Sequence, residues 1–213
     1  MEYLWNVTQF ILHGSIVTFQ LFVATVIFSV PLGIVLALGR VSRFKIVREG
    51  IGIYTWVFRG TPLLLQLYFT YFGLPAIGIK LDAFSAAVLA FTINYAAYLT
   101  EIFRSGIESI EKGQYEAAKV LGMNYWQTMK RIILPQGLKR VLPPACNEAI
   151  TLVKDTALVA TIAMGDILRA TKEVVARDFT ISPFFIAAVL YLLITSVIVY
   201  FFRKVEEKYS VYE

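Results

Sequence analysis

The chain has 213 residues, 58% of them apolar and only 16% charged, with a formal net charge of +5. An apolar share that high, with the charges gathered between long stretches that lack them, excludes a water-soluble protein of one or two domains. The basic surplus flanks apolar segments, which is the pattern of topogenic charge and points away from nucleic acid as a partner.

A single cysteine, Cys146, allows neither an internal disulfide nor a cysteine metal cluster. The opening Met-Glu-Tyr-Leu-Trp-Asn lacks a basic n-region and a small-residue cleavage site, so a signal peptide is not expected. No Asp, Glu, Lys or Arg occurs from Tyr3 to Gly39. That is well beyond the ~20 residues an upright helix needs to cross a bilayer core. The expectation is an interfacial segment over Glu2–Leu12, anchored by Tyr3 and Trp5, followed by a first span over 15–38. Ser15, Thr18, Phe22, Thr25 and Ser29 recur there at helical spacing, and the small hydroxyl residues suit close helix packing. The lone histidine, His13, fits a membrane boundary better than a catalytic site.

Arg40, Arg43, Lys45 and Arg48 form a basic loop, and Ile51–Phe58 reads as a short aromatic approach along the membrane surface. Gly60 breaks it, and Thr61-Pro62 reads as the N-cap and first residue of a second span over 62–75. Gln66, Thr70 and Gly73 share one face of that span. The third span is placed over 83–103, with Asn94, Tyr98 and Glu101 on one stripe and Glu101 spaced to pair with Arg104.

The long connection from Arg104 to Arg140 carries the most distinctive stretch, over 112–135. Tyr115–Leu121 has helix-forming composition, and Gly122 stands where a helix-ending glycine belongs. Asn124 with Gln127 predicts a capping box opening a second short helix, which Pro135 is expected to close. A fourth span over 138–158 holds Asn147, Glu148, Thr151, Lys154 and Asp155. An ionisable residue in a span costs about 2.5–3.5 kcal/mol even on a mild scale, so Glu148 and Asp155 should face a cavity or a partner. Lys154 and Asp155 are adjacent and able to neutralise each other; Glu148 has no adjacent cation. Gly165–Arg177 reads as a short helix outside the bilayer, and the last span runs over 184–202.

Fifteen of the twenty Lys and Arg lie in Arg40–Arg59, Arg104–Arg140 and from Arg203 onward. With five spans, that bias puts the C-terminus and the 112–135 loop in the cytoplasm and the N-terminus outside. The sequence has no Gly-Lys dipeptide and hence no Walker A loop, and it lacks HExxH, CxxC and GxSxG. An enzyme is therefore not expected.

Glu116-Ala117-Ala118, three residues, Gly122, nine residues, Ile132-x-Leu134-Pro135 resembles the EAA loop of bacterial ABC importer permeases. Arg59-Gly60-Thr61-Pro62-Leu63-Leu64, Ala97-Tyr98-x-x-Glu101-x-x-Arg104 and Lys154-Asp155-Thr156 resemble elements of the polar amino acid branch, of the histidine, glutamine and arginine kind. The resemblance implies an all-α polytopic membrane protein of the type I importer permease fold. It implies one transmembrane domain of five helices, multi-pass in the bacterial cell (plasma or inner) membrane. Two permease chains, identical or paralogous, would pair. Two ABC ATPase subunits would bind ATP and Mg, so no cofactor is expected in this chain, and an external solute-binding protein would deliver an amino acid.

Coupling to the ATPases falls by this resemblance to Glu116, Ala117, Ala118 and Gly122. The polar stripes nominate Gln66, Asn94, Tyr98, Glu148, Thr151 and Asp155 for an alternating-access path through the bilayer. A carboxylate at Glu148 hints at basic amino acids. The competing class is a passive channel or receptor-type subunit with a cytoplasmic partner. That class would explain the spans but not the EAA-like spacing.

Overall fold

The computed structural model describes residues 2–210, and every regular element among them is a helix. Helix α1 runs unbroken over Glu2–Arg40, about 58 Å at 1.5 Å per residue. The expected interfacial segment over Glu2–Leu12 is thus not separate but forms the first turns of α1. Val7 and Ile11 fall on one helix face and are covered by Ile167, Val174 and Ala187. The small residues Gly14, Thr18, Thr25, Ser29 and Gly33 make up much of the buried stripe of α1. At Gly33 a methyl group would lie 2.8 Å from the Leu99 Cβ, so α1 and α4 approach as closely as small residues permit.

Helix α2 (Lys45–Gly60) includes the Ile51–Phe58 stretch expected to lie along the membrane surface. It packs along α4 (Ala83–Glu108), to which the Tyr54 hydroxyl donates at the Ile93 carbonyl, 2.6 Å. Helix α3 (Leu63–Tyr68) follows after a break at Thr61-Pro62. Pro62, not Thr61, is its N-cap, and the Thr61 hydroxyl turns back to the Val57 carbonyl at 2.9 Å. From α3 the chain continues through a π turn (Phe69–Gly73) and a 3-10 turn (Leu74–Ile77) to Gly78. Thr55 bonds Glu101, while Leu67 packs with Ala87 and Ala90. The two halves therefore run antiparallel along one α4, as a single interrupted rod.

After α5 (Lys112–Val120) and α6 (Tyr125–Thr128) comes a second π turn, Met129–Ile133, and then α7 (Leu134–Asp155). Pro135 does not close the helix as expected; it sits in the first turn of α7. A proline there removes the bond to the carbonyl four residues back and crowds it. The widened turn relieves both, with the Leu134 N–H donating five residues back to Met129. The first π turn solves the same problem at Pro75, with the Leu74 N–H donating to Phe69.

Helix α7 runs into a 3-10 segment, Thr156–Ile162. Asp166, fully buried, caps α8 (Ile167–Asp178) through the Leu168 and Arg169 N–H groups. Helix α9 (Ser182–Ser210) ends the described chain. Among the described residues, Glu2–Arg40, Ala83–Glu108 and Ser182–Lys208 are long and apolar enough to cross a membrane, and Leu63–Ile77 is a shorter apolar helix.

Candidate functional site: a broken helix facing an acidic stripe, and a capped knuckle

A helix end leaves carbonyls without donors, and in hydrocarbon no water meets them. At the end of α2 the shortage is worse, because the residue four beyond Phe58 is Pro62, which has no N–H. Side chains make up the deficit. Asn94 Nδ2 and Gln66 Nε2 both donate to the Phe58 carbonyl, at 2.9 and 3.0 Å. Gln66 Nε2 also reaches the Thr61 carbonyl at 3.2 Å and the Thr61 hydroxyl at 2.8 Å. Asn94 Nδ2 bonds Gln66 Oε1 at 3.1 Å, and the Tyr98 hydroxyl points at the Arg59 carbonyl, 3.4 Å away. Three of the six expected path residues are thereby gathered at one break.

The guanidinium of Arg59 lies 5.3 Å from the centre of the Tyr98 ring. Facing it across the bundle is the acidic stripe of α7. Glu148 is half-buried and within the field of both Arg59 and Asp155. Asp155 accepts a bond of 2.7 Å from the Tyr95 hydroxyl, and the exposed Lys154 adds charge nearby. Thr151 donates to the Asn147 carbonyl of its own helix at 3.0 Å. The six expected residues thus form two groups, with Arg59 against Tyr98 in one and within electrostatic reach of Glu148 in the other. The sequence put Arg59 in a basic run and in a family-like element, but nominated neither it nor Tyr95 for the path. Tyr95 lies three residues before Tyr98, close enough on a helix to share its face.

Nearer the knuckle, Glu101 ties three helices together. Its carboxylate accepts from Arg104 Nε at 2.8 Å, Thr55 Oγ1 at 3.0 Å and Arg40 Nε at 3.3 Å. Arg104 extends the chain of charge to Glu108. The Glu101–Arg104 pairing matches expectation, while Arg40 and Thr55 join it only through the tertiary fold.

The knuckle itself is local chemistry. Gly122 has a φ of +71°, a left-handed conformation that suits glycine. The Met123 N–H bonds the Ala118 carbonyl and the Gly122 N–H the Lys119 carbonyl, both at 3.0 Å, which is the Schellman pattern. Asn124 and Gln127 form the expected capping box, with both bonds at 3.0 Å. Ala118 is buried, whereas Glu116, Ala117 and Gly122 are exposed. Val120, Leu121 and Trp126 also stand out, the first 87% exposed. Underneath, Ile110, Met129 and Ile133 make a small core of the knuckle's own. Where its two arms rejoin the bundle, α4 and α7 cross at Gly106 and Gly137. A methyl group on Gly106 would lie 3.3 Å from the Gly137 carbonyl oxygen and would run into the Val141 side chain.

Residues 29–211 match the family described as binding-protein-dependent transport system inner membrane component. The chain is 42% identical over 201 residues to the arginine transport system permease protein ArtQ of Bacillus subtilis (strain 168), covering 93% of this chain and 92% of that one. The L-cystine transport system permease protein TcyB of the same organism is 40% identical over 169 residues, 79% of this chain and 72% of its own. Among solved structures, an amino acid ABC transporter with histidines superposes with a TM-score of 0.89 at 34% identity, covering 97% of each chain.

Proposed function

Because the chain belongs to the family of binding-protein-dependent transport system inner membrane components, as an amino acid ABC importer permease, we propose that it forms the translocation path of an ATP-driven importer for basic amino acids. Its crossings are α1, the interrupted α2–α3 rod, α4, α7 and α9, with the N-terminus outside and the knuckle inside. Two such chains, or this chain and a paralogue, pair in the membrane. ATPase subunits, holding ATP and Mg, press on Glu116, Ala117, Ala118 and Gly122. An external solute-binding protein delivers the substrate.

One observation carries the choice of substrate. Arg59 lies within electrostatic reach of Glu148, on a stripe that carries a second carboxylate, Asp155, about two turns further along α7. A neutral amino acid brings one carboxylate and one ammonium group, which Arg59 and one acid would match. Lys154 beside Asp155 is exposed and shares its charge with the surroundings, so the half-buried second acid keeps part of a negative charge that a side-chain ammonium or guanidinium neutralises. Isolated charge in a low-dielectric path is costly, so that match discriminates between substrates. Alternating access follows if the knuckle's displacement passes through the Gly106–Gly137 crossing into α4 and α7.

The test is uptake by proteoliposomes holding the assembled importer with its binding protein. Glu148→Gln is expected to lower uptake of basic amino acids about tenfold or more relative to neutral ones, with ATP hydrolysis retained. An unchanged ratio removes the carboxylate from substrate choice.

A further inference from the structure

The acidic stripe is not treated alike at its two ends. On the knuckle side, Tyr95 and Glu148 line an apolar slot of about 520 Å³ that follows α7 from Leu152 back to Leu138. Asp155 closes α7 at the other end, about 30 Å from its start. Beyond it the chain rewinds as the 3-10 segment Thr156–Ile162. Val159 and Ile162 are buried there and share one core, together with Met164, with Leu21 of α1, Leu67 of α3 and Tyr95 of α4. The segment is a plug between three crossings, set directly past the carboxylate that Tyr95 holds.

The plug carries two marks of a hinge. A 3-10 run beyond three or four residues is uncommon, because its hydrogen bonds are poorly aligned, and this one has seven. It ends at Ala163, whose φ of +64° is left-handed, a conformation that costs any residue with a Cβ. A polar contact outside the stripe joins its two ends. An N-cap needs one oxygen, and Asp166 Oδ1 meets the Arg169 N–H at 2.9 Å. Oδ2 accepts from the Leu168 N–H at 3.1 Å and from the Tyr191 hydroxyl of α9 at 3.4 Å. Thr156, at the other end of the plug, lies within hydrogen-bonding reach of the same hydroxyl. The Thr156 proton is committed to the Val153 carbonyl at 2.7 Å. Tyr191 therefore has one proton for two acceptors, one at each end of the plug. The Asp166 end is clamped, since a methyl group on Gly14 of α1 would lie 2.7 Å from the Asp166 carbonyl oxygen.

We propose that Thr156–Ile162 is a gate on the face opposite the knuckle, hinged at Ala163, with Tyr191 as the positioning residue that latches Thr156 to Asp166. The gate rests on the reading of α7 as a wall of the translocation path. With the latch made, the plug covers Asp155 from that face. When α7 is displaced, the hydroxyl stays with the clamped Asp166 and the plug swings clear.

The test is labelling of the assembled importer in proteoliposomes by a membrane-impermeant maleimide applied to the face opposite the knuckle. The reporter is Val159→Cys in a Cys146→Ser background, and Val7→Cys, buried among α1, α8 and α9, reports general loosening. Tyr191→Phe should raise Val159→Cys labelling about fivefold, the population shift of one lost hydrogen bond, and leave Val7→Cys labelling unchanged. Thr156→Val should do the same, whereas Thr156→Ser, which keeps the hydroxyl, should label like the wild type. If Val159→Cys does not assemble, amide exchange over residues 156–164 in the three latch variants decides, with the same order expected. Unchanged rates in Tyr191→Phe, an equal rise at Val7→Cys, or equal rises in the two Thr156 variants overturn the proposal. No substrate is present, so the result stands apart from that of Glu148→Gln.

Discussion

The knuckle and the break in the α2–α3 rod both interrupt a helix, one at a glycine and the other at a proline, yet they are held in different ways. The knuckle's turn is closed by bonds between residues no more than five apart, from Ala118 to Met123 and from Asn124 to Gln127. The break depends on Asn94 and Tyr98, which lie 36 and 39 residues from the carbonyls they approach. The difference follows the residue at the interruption. A glycine keeps its N–H and its freedom of φ, so the turn closes on its own neighbours. A proline removes a donor from the helix end before it, so the fold must bring others. A rigid local turn suits a surface that is pushed, and a long-range cluster suits a place where helices must keep register.

The largest expected effect tests the long-range side. Glu101→Leu leaves Arg40 partly buried without its carboxylate and Arg104 with Glu108 alone. It should cost about 3 kcal/mol in unfolding from detergent micelles. A loss under about 1 kcal/mol would show that the helices do not need this tie. Next is Asn94→Leu, which leaves the Phe58 carbonyl to Gln66 alone. It should cost about 1–2 kcal/mol and loosen the break. Faster amide exchange over residues 57–66 is the direct check.

On the local side, Gly122→Val forces a branched side chain into a left-handed conformation. The strain is about 1–2 kcal/mol, and it should fall on the knuckle while the bundle's unfolding midpoint stays nearly fixed. Uptake should drop more than ATP hydrolysis, and equal loss of both would argue against a coupling role. Asn124→Ala removes the capping box and should cost about 1 kcal/mol, again confined to the knuckle. A comparable loss of protection in α4 would break the contrast between the two regions.

The smallest effect lies at the other end of the bundle, where two hydrogen bonds from Arg177 and one from Tyr3 hold Asp178. Those bonds, Arg177 first, lower its carboxyl to about 2. A depressed carboxyl stabilises the fold fully above the ordinary value near 3.9 and loses that contribution as pH falls through about 2. The tether between α1 and α8 should therefore be indifferent to pH from 5 to 8 and weaken only below pH 4. Titration of the Asp178 carboxyl by NMR checks the window.

Legibility in the sequence followed the same division. Gly122 and the Asn124–Gln127 pair could be read directly because each device is complete within a few residues. The apolar runs announced a membrane bundle for the same reason. Pro135 misled, because proline normally stops a helix, and only a widened turn let this one continue. The expected separation of Glu2–Leu12 failed because nothing in that stretch reveals that α8 and α9 will cover Val7 and Ile11. Gln66, Asn94 and Tyr98 were found as polar residues in apolar helices, but their shared target, the carbonyls around Phe58, was not readable.

By itself the sequence determined the helical class, the membrane environment, the knuckle's form and the family resemblance. Each of these rests on composition or on interactions between near neighbours in the chain. Only the tertiary structure decided that α2 and α3 form one broken rod, that Arg59 comes within electrostatic reach of Glu148, and that α1, α4, α7 and α9 enclose a slot. Those outcomes depend on which helix faces lie against each other. Side chains that bond or repel across the bundle are tens of residues apart along the chain, and no local pattern encodes their meeting.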